Sequence, residues 1–210
     1  MRFPIFASFI VFIIYFTIFT KRAEKKRRKS DLEFWEKEQR ANLVRKRSLD
    51  CLDYIVIPYD TLPMDLETSD ETVAQCIREL KELSGEKIVN FTGISNTDLK
   101  LAYGTANITP LSQYDQNYTI MVRILQDWAK RLYDLNHHSE ALSILEFAIK
   151  TRTDVSASYY LAASIYAEEG RFDQIKRLIL TAETLNSAMS GPIVRTLRKS
   201  YPDIDLPHSS

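Results

Sequence analysis

Two adjacent histidines, His137 and His138, are the residues whose type and position most readily indicate chemistry, because Asp134 and Glu140 lie close by in the chain. Imidazole and carboxylate groups can bind a metal ion or transfer a proton. A metal site needs ligands that converge, for example at positions i and i+4 of one helix face, whereas the side chains of adjacent residues diverge. We therefore predict a polar turn at this position and no metal site.

The other reactive residue types show no spacing that is typical of a catalytic or cofactor site. Cys51 and Cys76 are the two cysteines, and their separation of 25 positions fits neither a zinc site nor a redox motif. The sequence contains no glycine-rich phosphate loop, no nucleophile elbow and no zinc-protease motif. We predict no catalytic, cofactor-binding or metal-binding residues, no small-molecule substrate and no enzymatic activity.

Charge is distributed unevenly along the chain. The 210 residues include 28 Lys and Arg and 28 Asp and Glu. Residues 1–48 hold 13 basic and 5 acidic residues, so residues 49–210 hold the other 15 basic and 23 acidic ones. The two parts therefore carry net charges of +8 and −8. A partner that is attracted by the basic part need not be the partner of the acidic part.

The N-terminus begins with a charge-free stretch, residues 3–20, that is rich in Phe and Ile. As a helix, these 18 residues would span about 27 Å, near the lower limit for crossing a bilayer core. A cleaved signal peptide is the alternative, but its basic n-region and small-x-small cleavage site are missing. We predict a transmembrane anchor at residues 1–20, and the positive-inside rule places the following domain in the cytoplasm.

A basic juxtamembrane segment and a helix, residues 21–48, follow the predicted anchor. We interpret the cations as a stop-transfer flank. The alternative is that they contact anionic lipid, to which each cation contributes roughly 1 kcal/mol. Binding of nucleic acid is not expected so close to a membrane. The candidate lipid contacts are Lys21, Arg22, Lys25, Lys26, Arg27, Arg28 and Lys29.

Residues 49–117 are predicted to combine an extended segment with helices that pack on or cap the following domain. Pro58 and Pro63 exclude a helix over residues 53–63. We expect an extended segment there, with an edge strand as the alternative.

Three helices and one linker are predicted on either side of that segment. The capping-box spacing that begins at Ser30 predicts a helix to about residue 46. Apolar residues that recur at three and four positions predict a helix over residues 70–84. Another short helix is predicted to begin at Asn96 and to end at Gly104. Residues 105–118, which include Pro110, are predicted to be a linker.

The chain from residue 118 to residue 187 repeats itself with a period of 34 residues. Breaks near residues 136–139 and 169–171 divide each unit into two helices, so two helical hairpins are predicted. Six pairs of apolar residues lie 34 positions apart, namely Leu125 and Tyr159, Trp128 and Ala162, Ala129 and Ala163, Leu132 and Tyr166, Leu145 and Ile179, and Ala148 and Ala182.

This pattern resembles the tetratricopeptide family, whose unit is a helix-turn-helix of 34 residues. The resemblance covers about residues 121–187. It implies large apolar residues on the first helix of each unit and small residues where helices cross closely. Thr153 and Ser187 replace the proline that often closes a unit in the family. The small residues expected at the close crossings are Ala129, Ala148, Ala163 and Ala182.

In the family, the first helices of successive units line a groove that holds an extended peptide or a partner helix. The resemblance implies such a groove here, with aromatic anchors inside a polar rim. The paired Lys and Asn residues that clamp a C-terminal carboxylate in some members have no counterpart. The candidate partner groove consists of Arg123, Gln126, Lys130, Tyr133, Asp134, Tyr160, Ser164 and Glu168.

The sequence therefore predicts a mainly α protein, with an N-terminal single transmembrane helix followed by a soluble domain of tetratricopeptide-like hairpins. Residues 188–210 are expected to form a capping helix and a frayed tail. The predicted function is that of a membrane-tethered scaffold for protein–protein interaction without catalytic activity. The alternative is a membrane-surface module whose basic segment binds anionic lipid. The expected partners are a lipid bilayer, through residues 3–20, and an unidentified protein or peptide.

Overall fold

The computed structural model describes residues 3–66 and 69–202, so the predicted frayed tail lies outside the described residues. The chain divides into two compact units. The N-terminal unit comprises Met1–Ser48 and Ser95–Ile108, and the hairpin unit comprises Leu49–Ile94 and Thr109–Ser210.

The described residues form α-helices and no β-strand, which confirms the prediction of a mainly α protein. One short 3-10 helix, Thr105–Asn107, precedes the longest helix of the hairpin unit. The α-helices are α1 (Phe3–Asn42), α2 (Glu71–Glu82), α3 (Asn96–Tyr103), α4 (Ile108–Asp134), α5 (His138–Lys150), α6 (Ser156–Glu168), α7 (Phe172–Glu183) and α8 (Ser190–Ser200).

Charged side chains join α1 to α3 in the N-terminal unit. The ammonium group of Lys37 lies 2.6 Å from a carboxylate oxygen of Asp98. The carboxylate of Glu38 accepts a hydrogen bond from the Thr97 hydroxyl at 2.7 Å and pairs with Lys100. These hydrogen bonds lower the pKa of both carboxyl groups, that of Glu38 chiefly through Lys100 and that of Asp98 chiefly through Lys37.

The predicted transmembrane anchor is contradicted. Within the part of the chain that the structure describes, no helix has the length and the apolar content needed to cross a bilayer. Six side chains are described between residues 3 and 20, and those of Tyr15, Thr17 and Thr20 carry hydroxyl groups that interrupt the apolar run. The other side chains of this stretch lie outside the described residues. The single-pass membrane class and the membrane location are corrected together with the anchor.

Helix α1 also differs from the two separate helices that were predicted for this part of the chain. It continues for 40 residues, from the apolar stretch through the basic segment. Residues 21–29 contain only Lys, Arg, Ala and Glu, which are good helix formers, and no Gly or Pro that would end a helix. The capping-box residues near Ser30 therefore lie inside a helix and do not start one.

The helices of the hairpin unit agree with the sequence pattern except at the start of α4. The helices predicted over residues 70–84 and after residue 190 are confirmed by α2 and α8. Residues 108–118 were predicted as part of a linker, but they form the first turns of α4. Pro110 is compatible with a first turn because the amide groups there have no partner within the helix.

The small residues predicted at the helix crossings are buried in the core of the hairpin unit. The exposed fraction of each of the four predicted crossing alanines is 0 or 1%. Trp128 and Tyr159 are also fully buried and fill the space between the helices. The predicted core is therefore confirmed. The four buried alanines are Ala129, Ala148, Ala163 and Ala182.

The turns inside the two hairpins repeat with the same period. Asn136 and Gly170 are 34 residues apart, and both adopt a left-handed backbone conformation, with φ angles of 64° and 69°. The amide that follows each turn residue donates to a carbonyl of the last helical turn, from His137 to Leu132 at 2.9 Å and from Arg171 to Tyr166 at 2.8 Å. Both α4 and α6 thus end with a Schellman motif.

Thr153 and Ser187, the residues at the predicted proline positions, show how the chain turns without proline. The hydroxyl of Thr153 accepts a hydrogen bond from the amide of Val155 at 3.2 Å. The hydroxyl of Ser187 does the same with the amide of Met189 at 3.1 Å. In each case a side chain holds the turn through the amide two residues on, as a serine or threonine turn does.

Gly170 provides a test of this turn geometry. A Cβ atom at Gly170 would meet no other atom within 4 Å, so its cost would be purely conformational. We expect Gly170→Ala to lower the free energy of unfolding by about 1 kcal/mol, because the left-handed conformation disfavours a Cβ. Gly191→Ala, in α8, is the matched control and should leave the free energy unchanged or slightly raised. Urea denaturation of both variants measures the difference, and equal effects would contradict the assigned turn.

Candidate functional site

Tyr133 connects three helices at one end of the hairpin unit. Its hydroxyl donates to a carboxylate oxygen of Glu168 at 2.7 Å, which raises the pKa of the tyrosine. Its ring stacks on the imidazole of His138, with 4.6 Å between the centroids. The Nδ1 atom of His138 lies 3.3 Å from the other oxygen of Glu168. The side chains of α4, α5 and α6 therefore fix the orientation of the tyrosine ring.

Three further groove residues lie on α4 and α6. The Ser164 hydroxyl is 3.4 Å from the Glu168 carboxylate that holds Tyr133. The hydroxyl of Ser158 donates to the side-chain oxygen of Gln126 at 2.6 Å. Tyr160 is partly buried and packs against the core. All eight predicted groove residues lie on α4 or α6. We call five of them the tyrosine face: Gln126, Tyr133, Tyr160, Ser164 and Glu168.

The other three predicted groove residues lie on the side of α4 that faces α2. Arg123 forms an ion pair with Glu79 of α2 at 3.2 Å. Lys130 pairs with Asp134 one helical turn further along. All three line a cleft of about 340 Å³ between the two helices. The pattern of α4 alone could not separate these residues from the tyrosine face, because it does not indicate where α2 packs.

Asp70 is a residue of this region that the sequence did not single out. One carboxylate oxygen accepts from the amide of Val73 at 3.1 Å and caps α2. The other accepts from the Arg131 Nε atom of α4 at 2.9 Å. Hydrogen bonding to Arg131 and Val73 lowers the pKa of the Asp70 carboxyl group. A signal was present, because Asp70 is the first residue of the helix predicted over residues 70–84, and aspartate is a typical N-cap residue.

A larger cleft, of about 590 Å³, lies where loops and helix ends of the hairpin unit meet. We call it the turn cleft. The segment around residues 53–58 and the loop at residues 90–94 form one part of its lining. The ends of α5 and α7, with the turns that follow them, form the other part. No sequence pattern indicated this cleft, because its lining comes from four separate stretches of chain.

Asn90 holds the lining of the turn cleft together. Its side-chain amide donates to the backbone carbonyls of Thr151 and Arg152, at 2.9 and 3.1 Å, and to the Tyr118 hydroxyl at 3.0 Å. Burial raises the pKa of Tyr118 to about 12, so this hydroxyl keeps its proton. The loop of Asn90 is thereby fixed to the turn between α5 and α6.

Gly93 allows a second close approach beside the cleft. A Cβ atom there would lie 1.8 Å from the backbone oxygen of Asn186, so no other residue fits without movement. The side-chain amide of Asn186 donates to the Gly93 carbonyl at 3.3 Å. The loop is therefore also fixed to the turn between α7 and α8.

The basic segment belongs to the N-terminal unit, whereas Cys76 lines the cleft between α2 and α4. The described basic side chains of residues 21–29 are exposed, and Lys29 lies 3.8 Å from Glu33. Lys25 and Lys26 lie outside the described side chains, and contact of this segment with anionic lipid stays a prediction.

The two cysteines differ in exposure. Cys51 is exposed, whereas Cys76 is buried, and burial raises the pKa of the Cys76 thiol to about 11.

Comparison with known proteins adds no family to these observations. No family model, no curated protein and no solved structure matches the chain. The helices pack as hairpins, and the resemblance to the tetratricopeptide family stays a prediction.

The Asp70 and Arg131 pair leads to a prediction about acid. Because the pKa of Asp70 is lower in the folded than in the unfolded protein, its contribution to stability is present above the unfolded value, about 3.9, and is lost as the pH falls below it. We expect Asp70→Asn to be less stable than the wild type near neutral pH and to approach it under acid. Urea denaturation of both proteins, near neutral pH and at a pH below the unfolded pKa of aspartate, measures the difference in the free energy of unfolding.

Asp173→Asn is the matched control, since Asp173 lies in the first turn of α7 and has no ion pair with any residue that the structure describes. Its effect should depend less on pH. A loss of stability in Asp70→Asn that stays constant down to acid would contradict the assigned pair.

Proposed function

We propose that the chain is a non-catalytic protein-interaction module and that a protein partner binds at the tyrosine face. The observation that carries this proposal is the fixed ring of Tyr133, stacked on His138 and hydrogen-bonded to Glu168. Binding sites concentrate their energy in a few aromatic or arginine side chains surrounded by polar groups. Tyr133 has the residue type and the polar surroundings of such an anchor.

The fixed orientation of Tyr133 favours binding for an entropic reason. A flexible side chain loses roughly 0.5–1.5 kcal/mol of conformational free energy when an interface immobilises it. Contacts with His138 and Glu168 impose this order before a partner arrives. A partner that covers the ring therefore gains contact area at a smaller entropic cost.

The polar groups around the ring favour a protein surface over a purely apolar ligand. Ser164 and Glu168 lie beside the ring of Tyr133, and Gln126 and Tyr160 lie on the same two helices. Aromatic anchors with an adjacent polar rim are typical of interfaces between proteins. The two tyrosines would supply the apolar contact, and the amide, hydroxyl and carboxylate groups would set the orientation of the partner.

Capture from the cells that make the protein tests this proposal. We expect full-length wild type to retain a specific partner, and Tyr133→Ala to reduce its retention about tenfold or more, as for an anchor residue. Tyr133→Phe keeps the ring but loses the bond to Glu168, so a smaller reduction is expected. Phe172→Ala is the matched control, because this aromatic residue of α7 is 52% exposed and lies outside the tyrosine face.

Circular dichroism of each variant establishes that a loss of binding does not reflect loss of the fold. A partner retained equally by wild type, Tyr133→Ala and Phe172→Ala would contradict binding at the tyrosine face. Loss of the partner in Phe172→Ala alone would assign binding to α7.

A further inference from the structure

Residues 53–56 line the turn cleft, and residues 53–58 form neither a helix nor a turn. The exposure of consecutive side chains alternates, because Ile57 is buried, Ile55 packs partly against the core and Val56 between them is 81% exposed. Alternation of this kind is typical of a strand at the edge of a folded body. The described residues nevertheless contain no strand, so this segment is an edge without a partner strand.

One backbone hydrogen bond joins this segment to the stretch before Asn90. The amide of Ile55 donates to the carbonyl of Ile88 at 2.9 Å. In an extended chain, neighbouring residues direct their backbone groups to opposite sides. The amide and the carbonyl of Val56 therefore point away from Ile88, and they form no hydrogen bond with any residue in the described ranges.

The surroundings of this free edge combine apolar and basic groups. Ile94 also lines the turn cleft and is 45% exposed, so an apolar contact surface extends beyond Val56. The charged side chains that line the cleft are those of Lys150, Arg152 and Asp53, which leaves one net positive charge. Arg152 donates to the carbonyl of Thr184 at 2.7 Å, whereas Lys150 forms no ion pair with a described residue.

We propose that the turn cleft binds an extended, acidic peptide segment of a partner protein, which pairs with the backbone of Val56. An incoming strand would satisfy the amide and carbonyl of Val56, as occurs when a peptide adds to a sheet edge. Its aliphatic side chains would cover Val56 and Ile94, and an acidic side chain would reach the ammonium group of Lys150.

Two other occupants fit these groups less well. A helix satisfies its own backbone groups and would leave those of Val56 without partners. A second copy of the chain, paired edge to edge, would bring two sets of Lys150 and Arg152 into one interface, where like charges repel. This site is distinct from the tyrosine face, so the proposal does not rest on the proposed function.

Synthetic peptides with blocked ends test the proposal on the full-length protein. The first probe alternates Asp and Val over six residues, the second has Lys in place of Asp, and the third is the first with every backbone amide methylated, so that neither edge of the peptide can donate. Fluorescence anisotropy of labelled peptides should detect binding of the acidic probe only. The Lys probe lacks the charge complementarity, and the methylated probe cannot pair with Val56.

Two variants locate the charge contact. Lys150→Gln should weaken binding of the acidic probe by roughly three- to tenfold, as expected for a partly exposed ion pair. Lys199→Gln is the matched control, because both lysines lie in the last turn of a helix, and it should leave binding unchanged. Tyr133→Ala should also leave binding unchanged, which separates this site from the tyrosine face.

Hydrogen exchange of the Val56 amide reports directly on the backbone contact. We expect the acidic probe to slow this exchange about tenfold or more, because a hydrogen-bonded amide is protected. The proposal is overturned if the acidic and the Lys probes bind equally, if methylation does not affect binding, or if Val56 exchange is unchanged. Concentration-dependent dimers that Val56→Lys abolishes would also overturn it and would assign the edge to a second copy.

Discussion

The burial of small alanines in the core between the helices is the constraint on which the hairpin unit depends. Ala129 and Ala163 lie on the first helices of the two hairpins, and Ala148 and Ala182 lie on the second ones. A larger side chain at any of these positions would force the helices apart, and overpacking a core typically costs about 1–3 kcal/mol. Both proposed binding surfaces lie on helices, or on the turns that follow them, that pack around these alanines.

The two surfaces arise at different ends of this packing. The tyrosine face forms where α4 and α6 end, and side-chain contacts fix it across three helices. The turn cleft forms where α5 and α7 end, and backbone contacts of the Asn90 loop hold it. One surface therefore presents an ordered aromatic ring, and the other presents an unpaired backbone edge. These are two general ways in which proteins recognise partners.

Periodicity in the sequence predicted most of the hairpin unit, because burial of one helix face and small residues at crossings leave a direct record in residue spacing. The sequence did not predict that α1 is one continuous helix. It also predicted a membrane-spanning helix, whereas no helix among the described residues is long and apolar enough to cross a bilayer. Pro110 was read as a linker signal, although a first helical turn accepts it. The groove was predicted as one surface, but Arg123 contacts α2 whereas Tyr133 contacts α6. The turn cleft was not predicted, because contacts between distant loops leave no local pattern.

A single ordered hairpin body is the central requirement for both surfaces, and native-state hydrogen exchange measures it most directly. If α4 to α7 form one cooperative body, their slowest amides should exchange through one opening, with the same free energy in both hairpins and equal sensitivity to denaturant. The amides of His137 and Arg171, which close the two equivalent turns, should be protected to a similar degree. Exchange of α4 and α5 at a much lower free energy than α6 and α7 would contradict this structure, because Tyr133 would then not be held in place before a partner binds.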